Sequence, residues 1–140
     1  MKLDLLVADH IDTLKSGKPI ALGVYADGVV VLDSGPDIPE PSDAQPWAVS
    51  LSFLLSVAGL PSGAHELQIS LLNPAGVLIT DPDRPPLLIR VAEGQSAIVI
   101  VPNTQPLACT MMGEHKFKVS VGDVVRERTF EIRRRVVGAS

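Results

Sequence analysis

Asp9, His10 and Asp12 place three oxygen and nitrogen donors within four residues. Carboxylate oxygens and an imidazole nitrogen are what a hard or borderline cation takes. No fourth donor stands near them in the sequence. A strand-end aspartate that caps the following turn accounts for Asp9 without an ion. The capping role is therefore the expectation, and no metal site is assigned. His65 and His115 complete the histidine supply. No serine sits in a Gly-x-Ser-x-Gly elbow, so a hydrolase triad has no support. Cys109 lies in Leu107-Ala108-Cys109-Thr110-Met111-Met112, an apolar setting that raises a thiol's pKa and suits a small buried side chain better than a nucleophile. Gly23 and Gly28 lack the following helix that would cradle a phosphate. Arg133, Arg134 and Arg135 make a short basic run whose three charges hold a phosphate backbone only weakly at physiological salt. Most such runs are solvated faces. The sequence thus predicts no catalytic residue, no cofactor and a chain that is not an enzyme.

The chain behind these residues is 140 long, with 12 Lys and Arg against 16 Asp and Glu, a net charge of −4. No positive field exists to draw a nucleic acid as the main ligand. Apolar residues make up 46%, enough for a core and too much for a disordered chain. A single cysteine excludes an internal disulfide framework. Twelve prolines and eleven glycines interrupt the chain too often for a helix bundle. The apolar start Leu3–Ala8 is broken by Asp4 and stopped by Asp9, unlike a signal peptide. The apolar stretch 47–60 falls short of the roughly 20 residues a spanning helix needs. A cytoplasmic place of synthesis is expected, with no membrane association.

Period-2 alternation dominates. From residue 47 the odd positions read Trp47, Val49, Leu51, Phe53, Leu55, Val57, and the even ones Ala48, Ser50, Ser52, Leu54, Ser56. This predicts one long central strand over 47–57 with Ser50 and Ser52 outside. Leu67, Ile69 and Leu71 alternate in the next strand, 77–80 forms another, and 81–86 is a stiff proline loop. Leu87, Ile89 and Val91 mark a further strand. Residues 97–101 are continuously apolar, as in a strand covered on both faces. Phe117, Val119 and Val121 lead through Gly122-Asp123 to Phe130 and Ile132 in a hairpin. Strands at 3–7, 18–25 and 29–32 open the chain, with 9–17 as the one helix-compatible piece. Residues 34–46 hold Pro36, Pro39, Pro41 and Pro46 beside Asp37, Glu40 and Asp43. The prediction is a single domain over 1–140: an antiparallel β-sandwich, Ig-like or Greek-key, of nine to ten strands with no long helix. Residues 34–46 form a proline-rich acidic loop and 133–140 a basic C-terminal tail.

An internal echo accompanies this pattern. Gly63-Ala64-His65-Glu66-Leu67-Gln68-Ile69-Ser70-Leu71 returns as Gly113-Glu114-His115-Lys116-Phe117-Lys118-Val119-Ser120-Val121. It predicts two equivalent strand starts, each histidine bonded to backbone, in hairpins packed face to face. The opening Leu5-Leu6-Val7-Ala8-Asp9-His10, followed by Gly17-Lys18-Pro19-Ile20-Ala21-Leu22-Gly23, resembles an uncharacterised family of small bacterial and phage proteins. There, a strand ending in Ala-Asp leads to a Gly-Lys turn and a second strand with a glycine. The two Gly-x-His strands look like that family's later hairpins. The resemblance implies a β-sandwich and brings no catalytic residue with it.

Two features exceed what a lone sandwich needs. Charge is segregated: five acids and no Lys or Arg between positions 19 and 64, seven basic residues against three acids from 115 onward. Apolar residues also fall on outward parity, at Leu6, Leu54, Leu88 and both faces of 29–32. Exposed apolar patches mark partner surfaces. The expected function is therefore a non-enzymatic protein–protein interaction or structural module, an oligomerising subunit of a larger assembly such as a phage or phage-like particle, with a virion as its setting. Its candidate partner surface is Leu54, Leu88, Arg126, Arg128, Arg133, Arg134 and Arg135. The basic end would meet an acidic surface on a neighbouring copy or another subunit. The alternative is a stand-alone cytoplasmic module for a small ligand or carbohydrate. Trp47, Phe53, Phe117 and Phe130 fall on core parity, leaving it only Tyr25 as an aromatic platform.

Overall fold

The computed structural model describes residues 1–80, 83–102 and 106–138. Asp81 and Pro82 of the expected proline loop, and Ala139 and Ser140 at the end of the expected tail, lie outside them. The protein is all-β. Its strands are β1 (Lys2–Thr13), β2 (Pro19–Val24), β3 (Val29–Ser34), β4 (Trp47–Val49), β5 (Ser52–Ala58), β6 (Gly63–Leu72), β7 (Leu87–Val91), β8 (Ala97–Val101), β9 (Leu107–Cys109), β10 (Gly113–Val121) and β11 (Val124–Val136). Among the described residues no helix is long and apolar enough to cross a membrane.

A four-stranded sheet of order β2-β1-β5-β8 faces a five-stranded sheet of order β3-β11-β10-β6-β7, with β4 and β9 as a separate pair. One buried cluster joins the two sheets: Leu3, Val7, Phe53, Leu55, Val57 and Val99 from the first meet Val30, Leu67, Leu71, Phe117, Val119, Phe130 and Ile132 from the second. These are the alternate positions of each strand, so a half-buried pleat explains the arrangement. Phe53 sits at its centre, with ring centroids 4.6 Å from Phe117 and 5.1 Å from Phe130. Such tilted and edge-on aromatic contacts add to the gain from burial.

The fold departs from the sequence expectation in several places. The sandwich is mixed rather than antiparallel, because β3 pairs with β11 in parallel, Val30 opposite Ile132. The strands number eleven among the described residues, not nine or ten. The stretch 9–17 is no helix: β1 continues to Thr13 with Ile11 buried, and Leu14 and Lys18 close a turn (N···O 2.8 Å). The long strand over 47–57 is interrupted at Ser50 and Leu51. Val49 pairs with Leu107, whereas Phe53 pairs with Val101. Between those rungs the β8–β9 side carries two more residues than the β4–β5 side. Leu51, Ser52 and Phe53 are all buried, so Ser52 is not exposed as expected, although it shares the face of Leu54. Residues 77–80 form no strand, only a bridge from Leu78 to Leu72. β8 is an edge strand with Ile98 55% exposed, not a strand covered on both faces. Finally, Arg133, Arg134 and Arg135 belong to β11, not to a tail.

The echoed strands β6 and β10 are neighbours in one sheet, Leu71 opposite Phe117, rather than partners across the core. Their shared first residue has a backbone reason. Gly63 and Gly113 hold φ of 125° and 122°, values that side chains with a Cβ rarely adopt.

Candidate interaction surface

The two outward faces of the sandwich are built from the same pleat and differ in content. On the four-stranded sheet, pairing sets Leu6 beside Leu54 and Leu54 beside Ile100, a cross-strand row of three half-buried aliphatic side chains. The next row toward β2 is Val24, Ala8 and Ser52, with Leu22 beside His10 beyond it. On the other side, Ser56 separates Asp4 from Ile98. Leu22 is 58% exposed and Val24 is also exposed. The charged side chains of this face among the described residues, Lys2, Asp4 and Asp12, all stand on β1, with His10 beside them.

On the five-stranded sheet, ion pairs occupy the outward positions of β10, β11 and β3, beside the exposed Val31, Val125 and Leu88. Lys116 Nζ lies 3.3 Å from Glu127 Oε2. Arg133 grips Glu131 through two bonds of 2.7 and 2.9 Å, and Arg135 grips Asp33 at the same two distances. Each fork holds its acid, Glu131 or Asp33, below the usual carboxylate range.

The expected partner residues do not gather on one surface. Leu54 lies within the aliphatic row. Leu88, 70% exposed, faces outward from β7 on the other sheet, opposite Glu66. Arg126 donates from Nε to the Met1 carbonyl at 2.9 Å, tying β11 to the start of β1, and Arg128 bonds the Glu127 carbonyl. Arg134 is only 15% exposed. Its guanidinium bonds Ser34 Oγ at 2.8 Å and the Ile38 carbonyl at 2.5 Å, with Glu40 at 3.8 Å. The basic end and the acidic loop 34–46 therefore meet within one chain. The segregated charges do not lie on different surfaces, because the parallel pairing of β3 with β11 brings them together. Sequence reasoning passed over Leu22, Val24, Ile98 and Ile100. The small residues Pro19, Ala21 and Gly23 alternating with Ile20, Leu22 and Val24 were the available signal.

The other candidates resolve as structure. Asp9 is in mid-strand, not at a strand end, and its Oδ1 accepts the Tyr25 hydroxyl at 2.5 Å. That bond, partial burial and the neighbouring negative charge push the phenol up to about 12. His10 approaches Asp12 to 3.8 Å. Among the described residues no three His, Cys, Asp or Glu side chains are grouped to hold a metal. His65 and His115 both bond backbone, to the carbonyls of Pro61 at 2.6 Å and Gly113 at 3.1 Å. His115 is fully buried and stacked on Phe130, and burial pushes its pKa down. The Cys109 thiol is buried, donates to the Met111 carbonyl, and is pushed up by desolvation. Trp47 is half-buried, beside Ile38 and Pro46 in a shallow groove of about 660 Å³. A second cavity of about 580 Å³ is floored by Phe53, Leu71 and Phe117, with the exposed Asp83 and Arg84 among its lining.

No family model and no curated protein matches the sequence. The resemblance drawn from the Leu5–His10 opening is thus carried by those residues alone. A solved structure to which the chain is similar comes from work on glycolipid glycan hydrolysis by a family 123 glycoside hydrolase from Clostridium perfringens. It is 10% identical with a TM-score of 0.30, and the match covers 99% of this chain and 28% of that one. The expectation that the chain is not an enzyme is corrected on this match and is not kept. At that TM-score the likeness assigns no chemistry to any residue here.

Proposed function

We propose that the chain is a protein-interaction module that joins a larger assembly through the outward face of its four-stranded sheet. The observation that supports this is the Leu6–Leu54–Ile100 row, continued by Ile98 and by Leu22 and Val24, on a face whose charges stand only on β1. Such a face gains by being covered, since each Å² of apolar surface removed from water contributes roughly 25 cal/mol. Charge complementarity sets specificity and association rate rather than affinity. Here the basic end is already engaged within the chain, so it does not steer a partner.

A photo-crosslinking residue at position 54, compared with the same residue at Lys118 on the opposite face, tests the reading in the producing cell. Protein adducts are expected from position 54 and not from position 118. No adduct at 54, or equal adducts at both, overturns it. One observation favours the second reading, a small-ligand or carbohydrate module: the half-buried Trp47 in its groove. It is the chain's single tryptophan, so its fluorescence reports that groove alone. Unchanged emission on titration with a panel of oligosaccharides ends that reading.

A further inference from the structure

The two main sheets have four edges, and three of them carry a device against pairing with another chain. β2 begins at Pro19 and bends at Gly23, whose φ is 67°. β3 carries Asp33 beside its last residue, held by Arg135. β7 follows Pro85-Pro86 and contains Arg90. Proline, charge and bends are the usual means by which an open row of backbone N–H and C=O groups is kept from templating another strand. Within its five residues β8 has none of them, and Pro102 follows only after its last rung. Its sequence is Ala97-Ile98-Val99-Ile100-Val101, β-branched after Ala97 and uncharged, paired among the described residues only with β5, which is itself uncharged.

We infer that β8 pairs antiparallel with β8 of a second copy of this chain, about a two-fold axis at Val99. The inference rests on the interaction reading above and names its partner. The pattern is its own complement: Ile98 of one copy opposes Ile100 of the other, and Ala97 opposes Val101. Because neither β8 nor β5 carries a charge, the two-fold sets no like charges opposite one another, which is what an isologous contact requires. The two four-stranded sheets become one of eight strands. The row Leu6–Leu54–Ile100 then runs on to Ile98 of the second copy, and covering Ile98 removes the most exposed side chain of β8 from water. Main-chain hydrogen bonds at the sheet edge supply affinity, as in other cases of strand addition.

Sedimentation equilibrium of the full chain across a concentration series is the test. A mass twice 14.9 kDa is expected at tens of micromolar. Ile98→Lys should return the chain to monomer with an unchanged far-ultraviolet circular dichroism spectrum, and its melting temperature should match that of the wild type at concentrations dilute enough to dissociate the dimer. Ile98→Thr keeps the β-branch and should retain the dimer with a dissociation constant raised less than tenfold. Leu22→Lys, on the opposite edge of the same sheet, should leave the dimer intact. A monomer at every concentration overturns the self-pairing. So does a dimer that survives Ile98→Lys, or one that Leu22→Lys breaks. A monomeric chain that still gives adducts to another protein from position 54 separates the outcomes: the self-pairing fails and the interaction reading stands.

Discussion

The outward face of the four-stranded sheet and that of the five-stranded sheet are near equals in backbone and opposites in chemistry. On one, Leu6, Leu54 and Ile100 stand shoulder to shoulder. On the other, Lys116, Glu127, Glu131, Arg133, Arg135 and Asp33 satisfy one another within hydrogen-bonding or ion-pair distance. A solvated face tolerates exposed pairs of small individual worth, whereas a cross-strand aliphatic row is stabilised most when something covers it. Net charge of −4 over the whole chain conceals this division. It is the pairing of strands that sorts the residues into a finished face and an unfinished one.

The comparison holds only if the two faces are the two sides of one core. Phe53→Ala tests that first and should have the largest effect. The ring is 3% exposed and touches Phe117 and Phe130 of the opposite sheet. Its removal should cost about 3–5 kcal/mol through lost burial and the cavity left behind. Urea unfolding followed from both sheets should shift as one transition. A cost below about 1 kcal/mol would mean that the sheets do not share a core at this ring.

Most of the strands were legible because alternation is a local property. The pleat of 63–71 and 113–121, the turn at Gly122, and the burial of Phe117, Phe130 and Ile132 follow from neighbours two residues apart. What was not legible depends on partners far along the chain. The break at Ser50 and Leu51 separates a strand paired with Leu107–Cys109 from one paired with Ala97–Val101, both some fifty residues away. The parallel rung between Val30 and Ile132 joins positions a hundred apart. It converted an apparent separation of charge into the Arg134 and Arg135 contacts with residues 33–40. The candidate surface was half legible for the same reason. Leu54 and Leu88 are outward by parity, but only pairing shows that Leu54 has Leu6 and Ile100 beside it while Leu88 has Glu66.

Acid and alkali should separate the two sheets next. His115 in β10 is buried and its Nε2 finds no partner among the described residues, so the folded state disfavours its charged form. With the folded pKa below the ordinary 6.5, the unfolded chain binds the proton first. Stability should therefore fall as pH drops below that value. The buried polar group of the four-stranded sheet, Ser52 Oγ, does not titrate. That sheet responds at the other extreme. Tyr25 keeps its proton to about 12 in the folded state against 10.0 otherwise, so its contribution is present below pH 10 and is lost as pH rises through 12. Urea midpoints between pH 7.5 and 5.5 should flatten in His115→Phe and not in Asp9→Asn. The single tyrosine's ultraviolet titration should move toward 10 in Asp9→Asn and stay in place in His115→Phe. A flattened acid limb in Asp9→Asn would locate the sensitivity in the wrong sheet.

The smallest effect bears most directly on the contrast between faces. Lys116 and Glu127 are diagonal neighbours across β10 and β11, both more than a third exposed, at 3.3 Å. A double-mutant cycle with Lys116→Ala and Glu127→Ala should return a coupling of about 0–1 kcal/mol. It should shrink further in salt, because near 1 M screening acts within about 3 Å. The matching cycle with Leu6→Ala and Leu54→Ala should give a coupling of roughly 0.2–1 kcal/mol, as cross-strand apolar pairs do. That value should not decline with salt, since no charge is involved. Two couplings of similar size are thus told apart by their salt response. A charged pair whose coupling exceeded about 2 kcal/mol and ignored salt would be desolvated rather than surface-bound. The five-stranded face would then be the covered one, and the assignment of the two faces would reverse.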